Sequence, residues 1–292
     1  MANILAVGIA TLDIINSVAA YPAEDDEVRA IDQRVCRGGN ATNTLTVLSQ
    51  LGHRGHWAGV MVEEPDGRHI EADLERHRID RSAVLRLAQG KVPTSYITHN
   101  LANGSRTIIH YRDLPEYPFA EFKKLALGRF HWLHFEGRNV AETRQMLAWA
   151  AAQAPGVTRS LEIEKERDGI DALFPLADVL LFSRPFARGR GHDEALSLLR
   201  ALHPRYPAAT LVCAWGAAGA WALDRHGEHH SPAFAPPRPV DTLGAGDTFN
   251  AGLIDALLQR QDLGTALAQA CRLAGRKCGY QGLDFINQGA QK

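Results

Sequence analysis

Asp241-Thr242-Leu243-Gly244-Ala245-Gly246-Asp247-Thr248-Phe249-Asn250 is the stretch from which the rest of the chain is read. Gly244 and Gly246 let the backbone turn tightly with no Cβ in a ligand's way. Asp247 and Thr248 then open an apolar-periodic run, Phe249, Leu253, Ile254, Leu257 and Leu258, whose spacing predicts an amphipathic helix. A glycine turn feeding a helix N-terminus aims unpaired N–H groups and the positive dipole end outward, which suits a phosphate. A carboxylate at that positive centre repels an anion, so Asp247 is out of place in a loop that only holds phosphate. It fits if the group takes a proton from a hydroxyl attacking that phosphate. The competing reading is an Asp that caps a helix after a glycine turn. The string by itself leaves both open.

Outward from this loop, residues 3–9 form a continuous apolar run, a buried strand of the parallel-sheet type, with Thr11-Leu12-Asp13 directly behind it. Ligands of open parallel sheets bind beyond the carboxyl ends of strands, which makes Asp13 a candidate for holding a polar substrate or else a strand-end turn residue. Residues 13–36 then read as an extended hairpin rather than a crossover helix. A second extended pair occupies 92–112, with its turn at Asn103-Gly104. Together they predict a small sheet standing off the main domain, covering something or pairing with a partner. Between them, Arg37-Gly38-Gly39-Asn40-Ala41-Thr42-Asn43 is a second glycine turn before a helix. Asn40 and Asn43 lie one turn apart and offer amide groups that suit sugar hydroxyls, or serve as cap and packing residues.

The middle of the chain alternates. Strands are expected at 55–62, 130–135, 158–163, 177–182 and 209–213, helices at 67–78, 141–153 and 192–202, a hairpin at 217–233, and a last helix at 263–279. Such alternation predicts an α/β fold, a doubly wound, mainly parallel sheet. Glu136-Gly137-Arg138-Asn139 follows an apolar strand and is another polar carboxyl-end position. Trp215-Gly216-Ala217-Ala218-Gly219 is a small-residue loop against which a nucleotide could lie. His131 and His134, three apart on a strand, face opposite sides and read as structural, and Arg184, Arg188 and Arg190 read as a solvated loop.

Composition narrows the class. Of 292 residues, 45% are hydrophobic and 22% charged, and 32 Lys plus Arg balance 33 Asp plus Glu, so neither nucleic acid nor membrane is expected as a partner. No apolar run is long enough to span a bilayer, and the N-terminus lacks the basic leader of a signal peptide. Cys36, Cys213, Cys271 and Cys278 have no metal-site spacing, which predicts reduced thiols in a cytoplasmic protein and no protein metal site. Walker, dinucleotide, serine-hydrolase and zinc-protease motifs are all absent.

Gly38-Gly39-Asn40 and Asp241-Thr-x-Gly-Ala-Gly-Asp-Thr-Phe together resemble the paired signatures of the ribokinase-type, phosphofructokinase-B family of sugar kinases. The resemblance is closest to its ketohexose-phosphorylating branch. Tyr21-Pro22, Glu24-Asp25, residues 37–41, Asn103-Gly104, Arg106-Thr107-Ile108, residues 134–139 and 212–215, Pro236-Pro237-Arg238, residues 240–250, Lys277-Cys278-Gly279 and Gln281-Gly282 recur there in order. The resemblance implies one ribokinase-like three-layer α/β/α domain over 1–292 with a β-sheet lid, and transfer of the γ-phosphoryl of ATP to the 1-hydroxyl of D-fructose. It implies Asp247 as base, with Gly244, Ala245 and Gly246 forming the anion hole and Arg106 bridging lid, sugar and phosphate. Asp13, Gly39, Asn40, Asn43 and Ser105 would hold sugar, and Arg138 with Glu136 would lie near the phosphates. Trp215, Gly216, Gly219 and Cys278 would flank the nucleotide. Mg²⁺ is expected with ATP, and potassium near the 241–246 loop is a theme of the family. The lid would clasp a second copy in a homodimer, bringing Asp25 to the partner's sugar site.

Three departures stand out. Ser105 replaces an asparagine that contacts sugar in that branch, Gly216-Ala217-Ala218 replaces a more acidic loop, and residues 181–186 lack the Asn-x-x-Glu that many members use near Mg²⁺. The rival readings are a sibling kinase for ribose, 2-keto-3-deoxygluconate or a nucleoside, and a non-catalytic sugar or nucleotide sensor.

Overall fold

The computed structural model describes residues 1–286, so the end of the domain expected over 1–292 lies outside the described residues. Its strands are β1 (Asn3–Val7), β2 (Thr11–Val18), β3 (Asp32–Gly38), β4 (Arg54–Ala58), β5 (Val60–Val62), β6 (Leu85–Leu87), β7 (Thr94–Asn100), β8 (Arg106–Tyr111), β9 (Trp132–Glu136), β10 (Thr158–Ile163), β11 (Val179–Ser183), β12 (Thr210–Ala214), β13 (Ala220–Asp224) and β14 (Gly227–Ser231). Its helices are α1 (Asn40–Gln50), α2 (Pro65–Arg76), α3 (Phe119–Phe122), α4 (Val140–Gln153), α5 (Arg184–Gly189), α6 (Ala195–Leu202), α7 (Ala245–Leu258) and α8 (Leu263–Cys278).

Eight strands form the main sheet in the order β14-β13-β12-β11-β10-β9-β1-β4. Every pair from β12 to β4 is parallel, and β13 and β14 add an antiparallel edge. Ile4, Leu5, Ala6 and Val7 are all buried, as a parallel strand covered on both faces requires. The chain steps from β1 to β4 on one side and later places β9 on the other, so the strand order reverses at β1. A crevice opens at the carboxyl ends of strands where the order reverses. Here those ends are Gly8 and Glu136.

Four further strands form the small sheet, in the order β3-β2-β7-β8. Side chains alternate across it. Thr11, Asp13, Ile15, Arg34, Cys36, Ser95, Ile97, Arg106, Ile108 and His110 turn to the crevice. Val35, Tyr96, Ile109 and Tyr111 have the opposite parity and are exposed on the outer face.

Three expectations differ from what forms. The strand expected over 55–62 breaks at Gly59 into β4 and β5, which belong to different sheets. Trp57 causes the break: its Nε1 donates to Gly8 O at 3.0 Å, and its ring passes so close that a Cβ at residue 59 would meet it at 2.2 Å. The Arg184–Arg190 loop contains a short helix, α5, capped by Ser183 Oγ accepting from Phe186 N at 3.1 Å. Arg190 there pairs with Glu166 and Asp171. The expected 217–233 hairpin begins only at Ala220, because 216–218 wind into a 3₁₀ turn. His134 is fully buried, and His131 Nδ1 accepts from Asn3 N at 3.0 Å.

Gly39 enters α1 with φ of 102°, and a Cβ there would stand 2.3 Å from the Ile9 carbonyl oxygen. Gly39→Ala is therefore expected to lower the unfolding free energy by about 2–4 kcal/mol, read from urea denaturation.

Candidate active site

The carboxyl edge of the sheet, the N-termini of α1 and α7, and the inner face of the small sheet enclose a cleft of about 560 Å³. Gly244 starts α7 with a left-handed φ of 75°, the conformation that glycine adopts without strain. The amides of Ala245, Gly246 and Asp247 are in the first turn, where no intrahelical acceptor exists. Ala245 N donates to Thr242 O at 3.3 Å. Asp247 itself is 8% exposed and lines the cleft. Its Oδ2 accepts from Asn43 Nδ2 at 2.8 Å. Burial, with the carboxylates of Glu136 and Glu164, pushes its acid up to about 7, against the pull of Asn43 and Arg37.

Asn43 is aimed by Arg37, a buried guanidinium on β3. Arg37 Nη1 donates to Asn43 Oδ1 at 2.8 Å and Thr42 Oγ1 at 2.9 Å, Nη2 to Thr46 Oγ1 at 2.7 Å, and Nε to Asp73 at 2.5 Å. With its oxygen taken by Arg37, the Asn43 amide can turn only its NH₂ to Asp247. Asp13 faces the same cleft, where Thr11 Oγ1 donates to it at 2.7 Å and burial raises its acid. Asn40 Nδ2 donates to Glu162 Oε1 at 3.0 Å and reaches Glu164 Oε2 at 3.4 Å.

Glu136 stands behind the cleft wall instead of lining it. Its Oε1 accepts from Ile9 N at 3.1 Å and Ala41 N at 2.8 Å, and its Oε2 from Arg138 Nε at 2.5 Å. Arg138 is thereby held with its guanidinium in the cleft lining. Arg106 reaches over from the small sheet to Thr242 Oγ1 at 3.5 Å, and Arg34 to Asp241 Oδ2 at the same distance. Buried Lys277 donates to Asp241 O at 2.7 Å. Burial opposes ionisation of Asp241, but Lys277, the amides of Gly282 and Leu243, and Arg34 outweigh it and hold its carboxyl below the usual range.

The cleft thus gathers Asp13, Gly39, Asn40, Asn43, Arg106, Arg138, Gly244, Ala245, Gly246 and Asp247. It does not gather the others. Ser105 is exposed, its N–H bonded to Asn103 Oδ1 at 2.9 Å. Asp25 sits on an exposed turn with a left-handed φ of 67°. Trp215, Gly216, Gly219 and Cys278 lie outside the cleft lining. Trp215 is buried under the Arg188 guanidinium, 5.8 Å from its ring centre, and Cys278 O accepts from the amides of Val240 and Asp241. Sequence reasoning missed Glu162, Glu164, Ser95, His110, Arg37 and Lys277. Glu162 and Glu164 had the same signal as Asp13, an acid at the carboxyl end of an apolar strand. Lys277 had none, because its partner Asp241 lies 36 positions away, and Arg37 had none because its nearby partners Thr42, Asn43 and Thr46 meet it only once β3 packs against α1.

Residues 1–288 match the family model described as pfkB family carbohydrate kinase. The chain is similar to ketohexokinase of Mus musculus, 44% identical over 97% of this chain and 98% of that protein. In three dimensions it is similar to a candidate ribokinase of Agrobacterium tumefaciens, with a TM-score of 0.86 and 23% identity over 98% of this chain and 94% of that one. It is also similar to Arabidopsis thaliana ribokinase, solved with ribose and ATP, with a TM-score of 0.78 and 15% identity over 99% of each chain. The two structural likenesses establish a ribokinase-like α/β fold with a small separate sheet.

Arg37→Met would strip four polar partners of their buried donor at once. It is expected to cost about 3–5 kcal/mol of stability in urea denaturation, as breaking a buried ion pair does.

Proposed function

The chain belongs to the pfkB family of carbohydrate kinases, and on that premise we propose that it transfers the γ-phosphoryl of ATP to the 1-hydroxyl of D-fructose. One observation carries the reading: a buried carboxylate, Asp247, in the first turn of a helix whose opening residues Gly244, Ala245 and Gly246 line the same cleft. A site that only bound phosphate gains nothing from that charge. A site that must deprotonate an attacking hydroxyl needs it. The 44% identity to a ketohexokinase supports fructose as acceptor.

In this reading Asp13, Asn40 and Asn43 orient the sugar so that its primary hydroxyl meets Asp247. The hydroxyl proton passes to Asp247 as its oxygen bonds to the γ-phosphorus. The bond from that phosphorus to the bridging oxygen breaks, and ADP leaves with the electron pair. Amides of residues 245–247 and the guanidiniums of Arg106 and Arg138 balance charge on the transferring group. Glu136 fixes Arg138, and the nucleotide lies toward Trp215, Gly216, Gly219 and Cys278.

Mg²⁺ would offset phosphate charge when bound. Among the described residues no group of three or more His, Cys, Asp or Glu side chains is placed to hold a metal ion, and Mg²⁺ typically binds through substrate phosphates with water completing its shell. Potassium beside the Asp241 loop belongs to the same proposal, and turnover in potassium against tetramethylammonium chloride is its test. A homodimer does too. Val35, Tyr96, Ile109 and Tyr111 leave an apolar outer face on the small sheet, suited to a second copy that would receive Asp25. Ile109→Asp is expected to convert a dimer to monomer in analytical ultracentrifugation. No described helix is long and apolar enough to cross a membrane. The four free cysteines fit a reducing cytoplasm.

The deciding assay is ADP release with D-fructose, ribose, adenosine and 2-keto-3-deoxygluconate, with the phosphorylated position read by NMR. Fructose 1-phosphate is the expected product. Another product moves the acceptor and keeps the chemistry, and no turnover favours a sensor. Asp247→Asn is expected to reduce kcat about 10²–10⁴-fold while ATP still binds. Because the Asp247 acid is raised to about 7 and only its ionised form accepts a proton, kcat/KM is expected to fall as pH drops through about 7.

A further inference from the structure

Behind the sugar side of the cleft, polar groups run as one line through the core. Trp132 Nε1 donates to Ser160 Oγ at 2.7 Å, and Ser160 Oγ lies 2.9 Å from His134 Nδ1. His134 Nε2 faces Glu162 Oε2 at 3.9 Å, and Glu162 Oε1 takes the Asn40 amide. Neither His134 Nε2 nor Glu162 Oε2 has a hydrogen-bond partner, and both atoms are buried. An indole N–H can only donate, so Ser160 accepts from Trp132. The Ser160 hydroxyl then either donates to Nδ1, which puts the imidazole proton on Nε2, or accepts from Nδ1–H, which leaves Nε2 bare toward Glu162.

The neighbouring strand supplies the contrast that decides between them. Glu162 on β10 is in register with Glu136 on β9, and both are deeply buried. Glu136 accepts two backbone N–H groups and an arginine. Glu162 has one full hydrogen bond and, among the described residues, no Lys or Arg within ion-pair range. Facing it are His134 and Glu136 from β9, Asn40 from α1, Asp247 from α7 and Glu164 from its own strand end, while its partner in register on β11 is Leu181. An anion there would be desolvated, singly bonded and pressed by like charges. We propose that Glu162 carries a proton in the working enzyme, directed at His134 Nε2, and so leaves the negative charge to Asp247. Burial and the charges of Asp247, Glu136 and Glu164 push the Glu162 acid well up, and burial keeps His134 neutral by lowering it to about 4. Two close carboxylates share their titration, so the proton that Glu162 keeps is one that Asp247 can lose.

Glu162 and His134 are positioning residues in this account, which rests on Asp247 being the base. Ionisation of Glu162 at high pH would put a second negative charge next to Asp247 in the cleft that takes the anionic phosphoryl group, and slow the transfer. Glu162→Gln mimics the protonated acid in shape and keeps an oxygen for Asn40. The test is the pH profile of kcat/KM for the wild type, Glu162→Gln and Asp247→Asn, with melting temperature and ATP binding measured on each. Glu162→Gln is expected to keep kcat within about threefold at neutral pH and to lose the alkaline fall of the wild type. A folded, ATP-binding Glu162→Gln that loses about a hundredfold would overturn the proposal, because Glu162 would then work as an anion. So would an active variant with the alkaline fall unchanged. Turnover in Asp247→Asn would sink the base reading itself, whatever Glu162→Gln does. The His134 tautomer in the wild type, read by long-range ¹H–¹⁵N correlation, needs no variant: Nδ1–H is expected, and Nε2–H at neutral pH overturns the proposal.

Discussion

Glu136 is the tie on which the carboxyl edge of the sheet depends. One buried carboxylate takes the amide that follows β1, the amide in the first turn of α1, and the guanidinium of Arg138. Removing any one donor would leave the charge short of partners in the core, where an under-solvated carboxylate is costly. The backbone has made room for it. At Gly8 a Cβ would stand 2.3 Å from Glu136 Oε1, so the strand must end in glycine for the carboxylate to reach its donors. Strand end, helix start and cationic side chain are thereby fixed relative to one another before any ligand arrives.

From that edge the site is built by passing hydrogen bonds forward. Arg37 saturates the Asn43 oxygen and turns its NH₂ on Asp247, and Asn40 does the same toward Glu162. Two buried acids, Asp247 and Glu162, line the cleft and a third, Glu136, stands behind its wall, and their partners differ. Glu136 has three donors, though burial still raises its acid, while Asp247 and Glu162 have one full hydrogen bond each and Glu162 also faces a neutral imidazole. Similar depth with unequal donors is a means by which a fold can hold one functional group in several protonation states.

The small sheet divides its work by strand parity. Alternate residues of β2, β3, β7 and β8 present Asp13, Ser95, Arg106 and His110 to the cleft, and the intervening ones put Val35, Tyr96, Ile109 and Tyr111 outside. A slip of one residue would exchange the two sets. Arg34 and Arg106 reach from this sheet to Asp241 and Thr242, so the small sheet contacts the loop that opens α7.

The sequence alone determined what depends on local chemistry. The apolar run of β1, the period of α7, the glycine turns at Gly39 and Gly244, and the alternation of strands and helices each follow from neighbours a few residues apart. So does the placing of Asp13 and Asp247 at a cleft, because strand ends and helix starts are local features. Only the tertiary structure decided which donors and which cations each buried acid meets. Glu162 meets Asn40 across 122 positions, Asn43 meets Asp247 across 204, and Lys277 meets Asp241 through a helix that returns from the far end of the chain. The same applies to Gly59, whose break in an apolar run was set by a tryptophan seeking a carbonyl at Gly8. Desolvation and hydrogen-bond supply are properties of a place in the packed core, and a place in the core is created by contacts that no local pattern encodes.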